Sequence, residues 1–409
     1  MNISKKARQI SRSPTLSLNE KAQKLERSGK SIIHLGIGEP LNDAPRSAVQ
    51  YSQNKLNSRQ IKYGPTAGLP SLKENIQSYT KKYYGRTPAL ENIIVTAGAK
   101  QSLYNLLYSI LNPGDEVILL APYWVSYPEM VKLADGIPIS IPPDDGLLPD
   151  LANVSRAVNP KTKAIILNSP NNPSGVVYPP EVIAAFVDYC ESQELYLIMD
   201  DIYHQLVFND QKWVPGYIFT SRPIEDSHLI VINGISKSYG MTGFRVGWTI
   251  GPEPLVQAMT KIQGHTTSGA SVLLQEGARG ALEKGQETVQ ELNTFIRDNR
   301  SLMLSGLKEI PGLKLIEPGG TFYCFPDFSA YYQSSEELAE LLLEKAFLVT
   351  IPGTAFGLEG HLRLSYTCSK DQINESLNRI RWVIDDSAPS SIIMGNEKYT
   401  CSWQRTSIR

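Results

Sequence analysis

The sequence predicts an α/β protein with a large domain and a smaller one. The large domain carries a mostly parallel sheet covered by helices; the smaller is α+β and is formed by both chain ends. Three observations predict this. From residue 92 to about 250, short apolar runs recur with amphipathic stretches between them. From about 285 that rhythm gives way to one long helical pattern, followed by a mixture of strand-like and helical runs. At 409 residues the chain also exceeds one ordinary domain.

Taken in order, the apolar runs are NIIVTAG, EVILLAP, GIPISIP, AIILNSP, LYLIMDD and HLIVING, with KQSLYNLLYSIL as a helix after the first. Strands separated by helices call for βαβ crossovers and a parallel sheet buried on both faces. LNTFIRDNRSLMLSGL centres a long helix over 285–309, and TFYCFPDF, FLVTIPG and HLRLSY read as strands of the smaller domain. The expected division is an arm over 1–45 that joins the small domain, a large ligand-binding domain over 46–290, and the small domain over 291–386. A weakly patterned tail over 387–409 is expected to be mobile.

Several function classes are disfavoured. Forty Lys and Arg against 41 Asp and Glu leave a net charge of −1, with no electrostatic footprint for nucleic acid or an anionic membrane. No apolar run approaches a membrane span, and the basic start MNISKKARQISRSP lacks the apolar core of a secretory signal. Cys190, Cys324, Cys368 and Cys401 are widely spaced, so neither a disulfide framework nor a metal site is expected, and the cytoplasm is the expected setting. GIGEPL stops short of a dinucleotide-binding glycine motif.

Ligands of open α/β sheets bind beyond the carboxyl ends of the strands. There the chain places Gly98, Ala99 and Lys100 opening a helix, then Trp124, then Asn172 in NSPNNPSG, then Asp200 and Tyr203 in DDIY, then Ser236 and Lys237, with Arg245 eight residues on. Singly, each has an ordinary structural reading as a turn glycine, a helix cap or a surface charge. Together they describe one chemistry. A helix start behind small residues binds a phosphate, to which Arg245 adds a charged fork and Ser236 a hydroxyl. A flat ring stacks on Trp124, Asp200 keeps a pyridine nitrogen protonated, Tyr203 meets a phenolic oxygen, and Lys237 forms a Schiff base with an aldehyde. Phosphate, pyridine, phenol and aldehyde make pyridoxal 5′-phosphate.

LGIGEP, KYGPTAGLPSL, TAGAKQSLYN, APYWVSYPEM, NSPNNPSG, DDIY, SKSYGMTGFRVGW and HLRLSY follow one another over residues 13 to 384. As an ordered set they resemble the fold-type-I pyridoxal-phosphate aminotransferases, in the bacterial aspartate aminotransferase branch. The resemblance implies a seven-stranded sheet and a homodimer with shared active sites. It implies that Lys237 bonds the cofactor and that Asp200 pairs with its ring nitrogen, while Asn172 and Tyr203 bind its phenolic oxygen. It also implies that Arg363 grips the substrate α-carboxylate with Gly38 beside it, and that Tyr63 reaches the partner subunit's phosphate. Departures are Gly234 where relatives often carry Ser or Thr, Asp201 for glutamate, and Gly98-Ala99 in the phosphate turn.

For the substrate, the resemblance matches Lys100 and Thr15 to residues that serve the side-chain carboxylate of aspartate, and Arg12 is a further candidate for the pocket mouth. The expected reaction passes an amino group from aspartate or glutamate to a 2-oxo acid such as 2-oxoglutarate. Alternatives are an aromatic or neutral amino-acid aminotransferase, a lyase, decarboxylase or racemase using the same cofactor, and a non-catalytic binding protein on the same fold.

Overall fold

The computed structural model describes residues 2–11, 14–208, 211–403 and 405, with the backbone alone at 14–16. Arg12 and the side chain of Thr15 therefore lie outside the described residues. A short strand β1 (Ile33–His34) pairs in parallel with Leu348–Val349, which joins the N-terminal segment to the C-terminal region. Seven strands then form the large sheet: β2 (Ile93–Thr96), β3 (Glu116–Leu120), β4 (Ile137–Ile141), β5 (Thr162–Asn168), β6 (Tyr196–Asp200), β7 (Leu229–Gly234) and β8 (Gly247–Ile250). Their order is β2-β8-β7-β6-β5-β3-β4, parallel throughout except where β8 pairs with β2 and β7.

Side chains alternate between two cores across this sheet. Ile93 and Val95 enter one, Ile94 the other; Leu197 and Met199 face away from Ile198 in the same way. Helices cover both faces, so no strand position needs to be polar, and the runs read as unbroken apolar stretches. Only the outermost strand β4 keeps a strongly exposed apolar residue, Ile137.

The helix Gln286–Lys308 runs where the sequence pattern places it. Beyond it, Tyr323–Cys324, Leu362–Ser365 and Ile351–Pro352 form a small antiparallel sheet. A third core gathers Ile33 and Leu35 with Leu348, Leu362 and Leu364, and also takes in Ile202, Tyr203, Leu206 and Phe208 from the loop after β6. That loop thereby ties the end of the large sheet to the smaller unit. Within the weakly patterned C-terminal segment, Ser391–Met394 and Glu397–Thr400 pair as an antiparallel hairpin turning at Gly395, whose φ is 61°. It docks through buried Met394, through Tyr399 edge-on to Phe347 at 5.1 Å, and through Trp403 against Trp382 at 4.7 Å. Such short strands, docked by a few side chains, leave little local periodicity to read.

Candidate active site

A cavity of about 630 Å³ opens at the carboxyl ends of the large sheet. Of the residues singled out in the sequence, Gly38, Ala99, Lys100, Trp124, Asn172, Asp200, Tyr203, Ser236, Lys237, Arg245 and Arg363 line it. Gly98 stands immediately behind the turn. Tyr63 does not reach this cavity; it is 94% exposed.

At one end, β2 finishes at Thr96 and the helix Ala99–Ile110 begins, with Gly98 between them at φ 85°. Thr96 Oγ1 donates to Gly98 O at 3.0 Å, and Gln101 Oε1 accepts from Ala97 N at 2.7 Å. The turn is thus closed by its own side chains, and the Ala99 and Lys100 amides stand at the helix start, where an anion is favoured. Gly247 of β8 passes so close that a Cβ there would lie 2.3 Å from Ala99 N. Arg245, itself at φ 51°, lays its guanidinium across the turn, donating to Thr242 O at 3.0 Å and Ala97 O at 3.4 Å. A Cβ on Gly98 would meet Arg245 Nη2 at 2.5 Å, so only glycine admits this arrangement.

In the middle, Asp200 ends β6 at 4% exposure. Tyr127 Oη donates to its Oδ2 at 2.6 Å, and Asn168 Nδ2 donates to its backbone carbonyl at 2.7 Å. Burial raises the Asp200 pKa to about 6, against the Tyr127 hydrogen bond, which lowers it. A desolvated carboxylate of this kind gains strongly from a cationic N–H placed against it. Lys237 donates to Gly38 O, and burial, followed by the nearby Arg363 charge, pushes its pKa down to about 8. That shift makes a neutral, nucleophilic amine accessible near neutral pH.

At the other end, Arg363 is 4% exposed. Its Nη1 donates to Asn172 Oδ1 at 3.1 Å and its Nη2 to Gly36 O at 2.9 Å. Its guanidinium carbon lies 4.3 Å from the Tyr323 ring centroid and 5.1 Å from that of Phe356. Lys100 Nζ stands 4.8 Å from the Trp124 ring centroid, and burial together with the Arg245 charge lowers its pKa.

Four cations therefore face one cavity, and the partners of Lys237, Arg245, Arg363 and Lys100 just given are carbonyls, an amide or a ring rather than carboxylates. The carboxylates lining it are Asp200 and Glu39, and Glu39 Oε2 already accepts from Thr242 Oγ1 at 2.6 Å. This surplus of positive charge fits an anionic ligand, a phosphate at the Arg245 end and a carboxylate at the Arg363 end. Asp200, between them, fits a protonated ring nitrogen, and Lys237 an aldehyde. The donor set is the one pyridoxal phosphate needs. Sequence reasoning missed Tyr127, Asn168, Tyr323 and Glu39. Tyr127 and Glu39 sit inside motifs already noticed, APYWVSYPEM and LGIGEP, and their spacing to Trp124 and Gly38 was the available signal.

Residues 30–380 match the family described as aminotransferase class I and II. The chain belongs to that family. The aminotransferase is 37% identical over 387 residues to the aspartate/prephenate aminotransferase of Thermus thermophilus, covering 93% of this chain and 98% of that one. It is 35% identical over 395 residues to the aspartate aminotransferase of Bacillus subtilis, covering 94% and 99%. The solved aspartate aminotransferase from Thermus thermophilus with maleate matches with a TM-score of 0.87 at 37% identity, covering 93% of this chain and 98% of that one. The enzyme is a pyridoxal-phosphate-dependent aminotransferase of amino and 2-oxo acids on an aspartate aminotransferase-like fold. Among the described residues, no helix is long and apolar enough to cross a membrane.

Proposed function

We propose that the aminotransferase moves the amino group of aspartate or glutamate to a 2-oxo acid such as 2-oxoglutarate, as a cytoplasmic homodimer. The observation that carries the substrate class is the third cation: beyond Arg245 for a phosphate and Arg363 for an α-carboxylate, Lys100 lines the same cavity. A side-chain carboxylate would otherwise enter a partly desolvated site without a partner, which is costly.

When bound, pyridoxal phosphate supplies an electron sink for negative charge at the substrate Cα. Each residue has a separate task. The Ala99 and Lys100 amides, the Ser236 hydroxyl and the Arg245 fork hold the phosphate, over the turn that Gly98 makes possible. Trp124 stacks on the ring, Asp200 holds the proton on its nitrogen, and Asn172 and Tyr203 donate to its phenolic oxygen. Lys237 anchors the cofactor and then takes the proton from the substrate Cα. Arg363, with Gly38 and Asn172 beside it, binds the α-carboxylate, while Lys100 and Thr15 serve the far end. Tyr63, so exposed in one subunit, reaches the phosphate of the partner subunit.

A second reading has one support. Relatives from two Thermus species are named for prephenate as well as aspartate. Prephenate is a 2-oxo acid with a second carboxylate on its ring, and Lys100 would pair with that carboxylate equally well.

The test follows the cofactor's visible spectrum while single amino acids are added, then 2-oxo acids to reverse the change. Aspartate and glutamate are expected to convert the wild-type spectrum, and 2-oxoglutarate or prephenate to restore it. Lys100→Ala is expected to lower kcat/KM for aspartate about tenfold and leave alanine unchanged, between the values for a solvated and a buried ion pair. Equal losses for both substrates would remove Lys100 from substrate recognition. Borohydride reduction followed by peptide mapping is expected to label Lys237; a label on another lysine would refute the site.

A further inference from the structure

Four side chains of the cavity close a ring. Arg363 Nη1 donates to Asn172 Oδ1 at 3.1 Å, and Asn172 Nδ2 donates to Tyr203 Oη at 3.5 Å. Tyr203 Oη and Tyr323 Oη are 3.4 Å apart, and the face of Tyr323 returns to the Arg363 guanidinium at 4.3 Å. All four residues are buried, although they come from four separate parts of the chain.

Valence orders the donors in this ring. A guanidinium only donates, so Asn172 must turn its oxygen to Arg363 and its nitrogen to Tyr203. Tyr203 therefore accepts on that side. A phenol oxygen has two acceptor sites and a single proton. With Tyr323 donating as well, the acceptor sites of Tyr203 are filled and its own proton points into the cavity. With the direction reversed, that proton would be occupied by Tyr323. The Arg363 charge favours the first direction, because it lies on the face of Tyr323 and polarises that hydroxyl as a donor, while on Tyr203 it is a lesser influence. Burial raises the pKa of both phenols, Tyr203 well above its ordinary value; at Tyr323 the guanidinium is the next influence and works downward.

The backbone is arranged around the same residue. Tyr323 pairs with Ser365 on the strand that carries Arg363. Two positions before it, Thr321 holds φ at 62° while fully buried, an outlying conformation for a β-branched residue. Its N–H donates to Leu206 O at 2.9 Å, and its Oγ1 accepts from Tyr323 N at 3.1 Å. The strained turn therefore links Tyr323 to the loop that presents Tyr203.

We propose that Tyr323 is a positioning residue: its hydroxyl donates to Tyr203, freeing the Tyr203 proton for the cofactor's phenolic oxygen, and its ring holds Arg363 for the substrate carboxylate. The inference rests on the proposed roles of Tyr203, Lys237 and Arg363. Two variants of the holoenzyme separate the hydroxyl from the ring, with the pH midpoint of the visible band and the affinity for maleate, a non-reacting dicarboxylate, as readouts. In Tyr323→Phe, Tyr203 becomes a weaker donor, more negative charge stays on the phenolic oxygen, and the Lys237 nitrogen holds its proton to higher pH. The midpoint is expected to rise by about half a pH unit, the equivalent of one modest neutral hydrogen bond. Maleate affinity should stay close to wild type, because the ring remains. Tyr323→Leu should show the same rise and also weaken maleate about tenfold through loss of the cation–π contact. A midpoint that falls or stays in the Phe variant overturns the hydroxyl assignment, and unchanged maleate affinity in the Leu variant overturns that of the ring. A wild-type enzyme without a pH-dependent band would instead refute the cofactor site, and this inference with it.

Discussion

The two arginines at the ends of the cavity are held in opposite ways. Arg363 is 4% exposed, bonded to Asn172 and Gly36 and set over the rings of Tyr323 and Phe356. Arg245 is exposed, sits at φ 51°, and donates to two backbone carbonyls across a glycine turn. One is pre-organised by packed side chains, the other by backbone geometry. The difference suits their proposed ligands. A small carboxylate that enters and leaves at every turnover needs a fork already aligned, since ordering it anew would cost affinity each time. A phosphate that stays can be met by a more open cation and by amides of a helix start, which need no side-chain ordering.

The largest expected effect breaks neither end. Asp200→Asn removes the carboxylate between the two arginines, and kcat is expected to fall about a thousandfold, within the range of acid–base contributions, while cofactor and maleate still bind. Steady-state kinetics beside equilibrium binding check this, and loss of cofactor would count against it. Next comes Arg363→Lys, which keeps the charge but not the fork. It should lower kcat/KM for aspartate about a hundredfold, with cofactor affinity unchanged. Gly98→Ala acts at the other end. Its Cβ would meet Arg245 at 2.5 Å on a backbone with φ 85°. The strain of about 1–2 kcal/mol should weaken cofactor binding about tenfold and leave maleate affinity of the loaded enzyme unchanged. If both variants impaired both ligands alike, the two ends would not be independent.

The smallest effect concerns pH. Capture of the cofactor by the apoenzyme needs the neutral Lys237 amine, and that form grows as pH rises through the amine's pKa. With the pKa lowered to about 8, the capture rate is expected to climb up to that pH and then level off. An unperturbed lysine, near about 10.4, would let it climb further. Burial leads the shift and Arg363 outranks Arg245 among the charges, so Arg363→Met should raise the midpoint more than Arg245→Met. Stopped-flow mixing across pH measures it.

Much of this site was legible because it is made of strand ends. Apolar runs bounded by NSPNNPSG, DDIY and SKSYG mark where β5, β6 and β7 stop, and a parallel sheet collects all such ends on one edge. Asn172, Asp200 and Lys237 could therefore be grouped without knowing the order of the strands. The proposed role of Tyr63 rests on the resemblance alone, since it does not line the cavity.

By itself, then, the sequence determined the α/β class, the residues at the strand ends and the cofactor chemistry they can perform. These depend on local periodicity and residue type. The tertiary structure alone decided which partners orient those residues. Tyr127 reaches Asp200 across 73 positions, and Arg363 reaches Asn172 across 191. The ring through Tyr323, the strained Thr321 turn and the docked C-terminal hairpin are likewise products of packing. Contacts between residues so far apart leave no periodic trace in the chain, because each is fixed by how whole elements meet and not by the sequence around either residue.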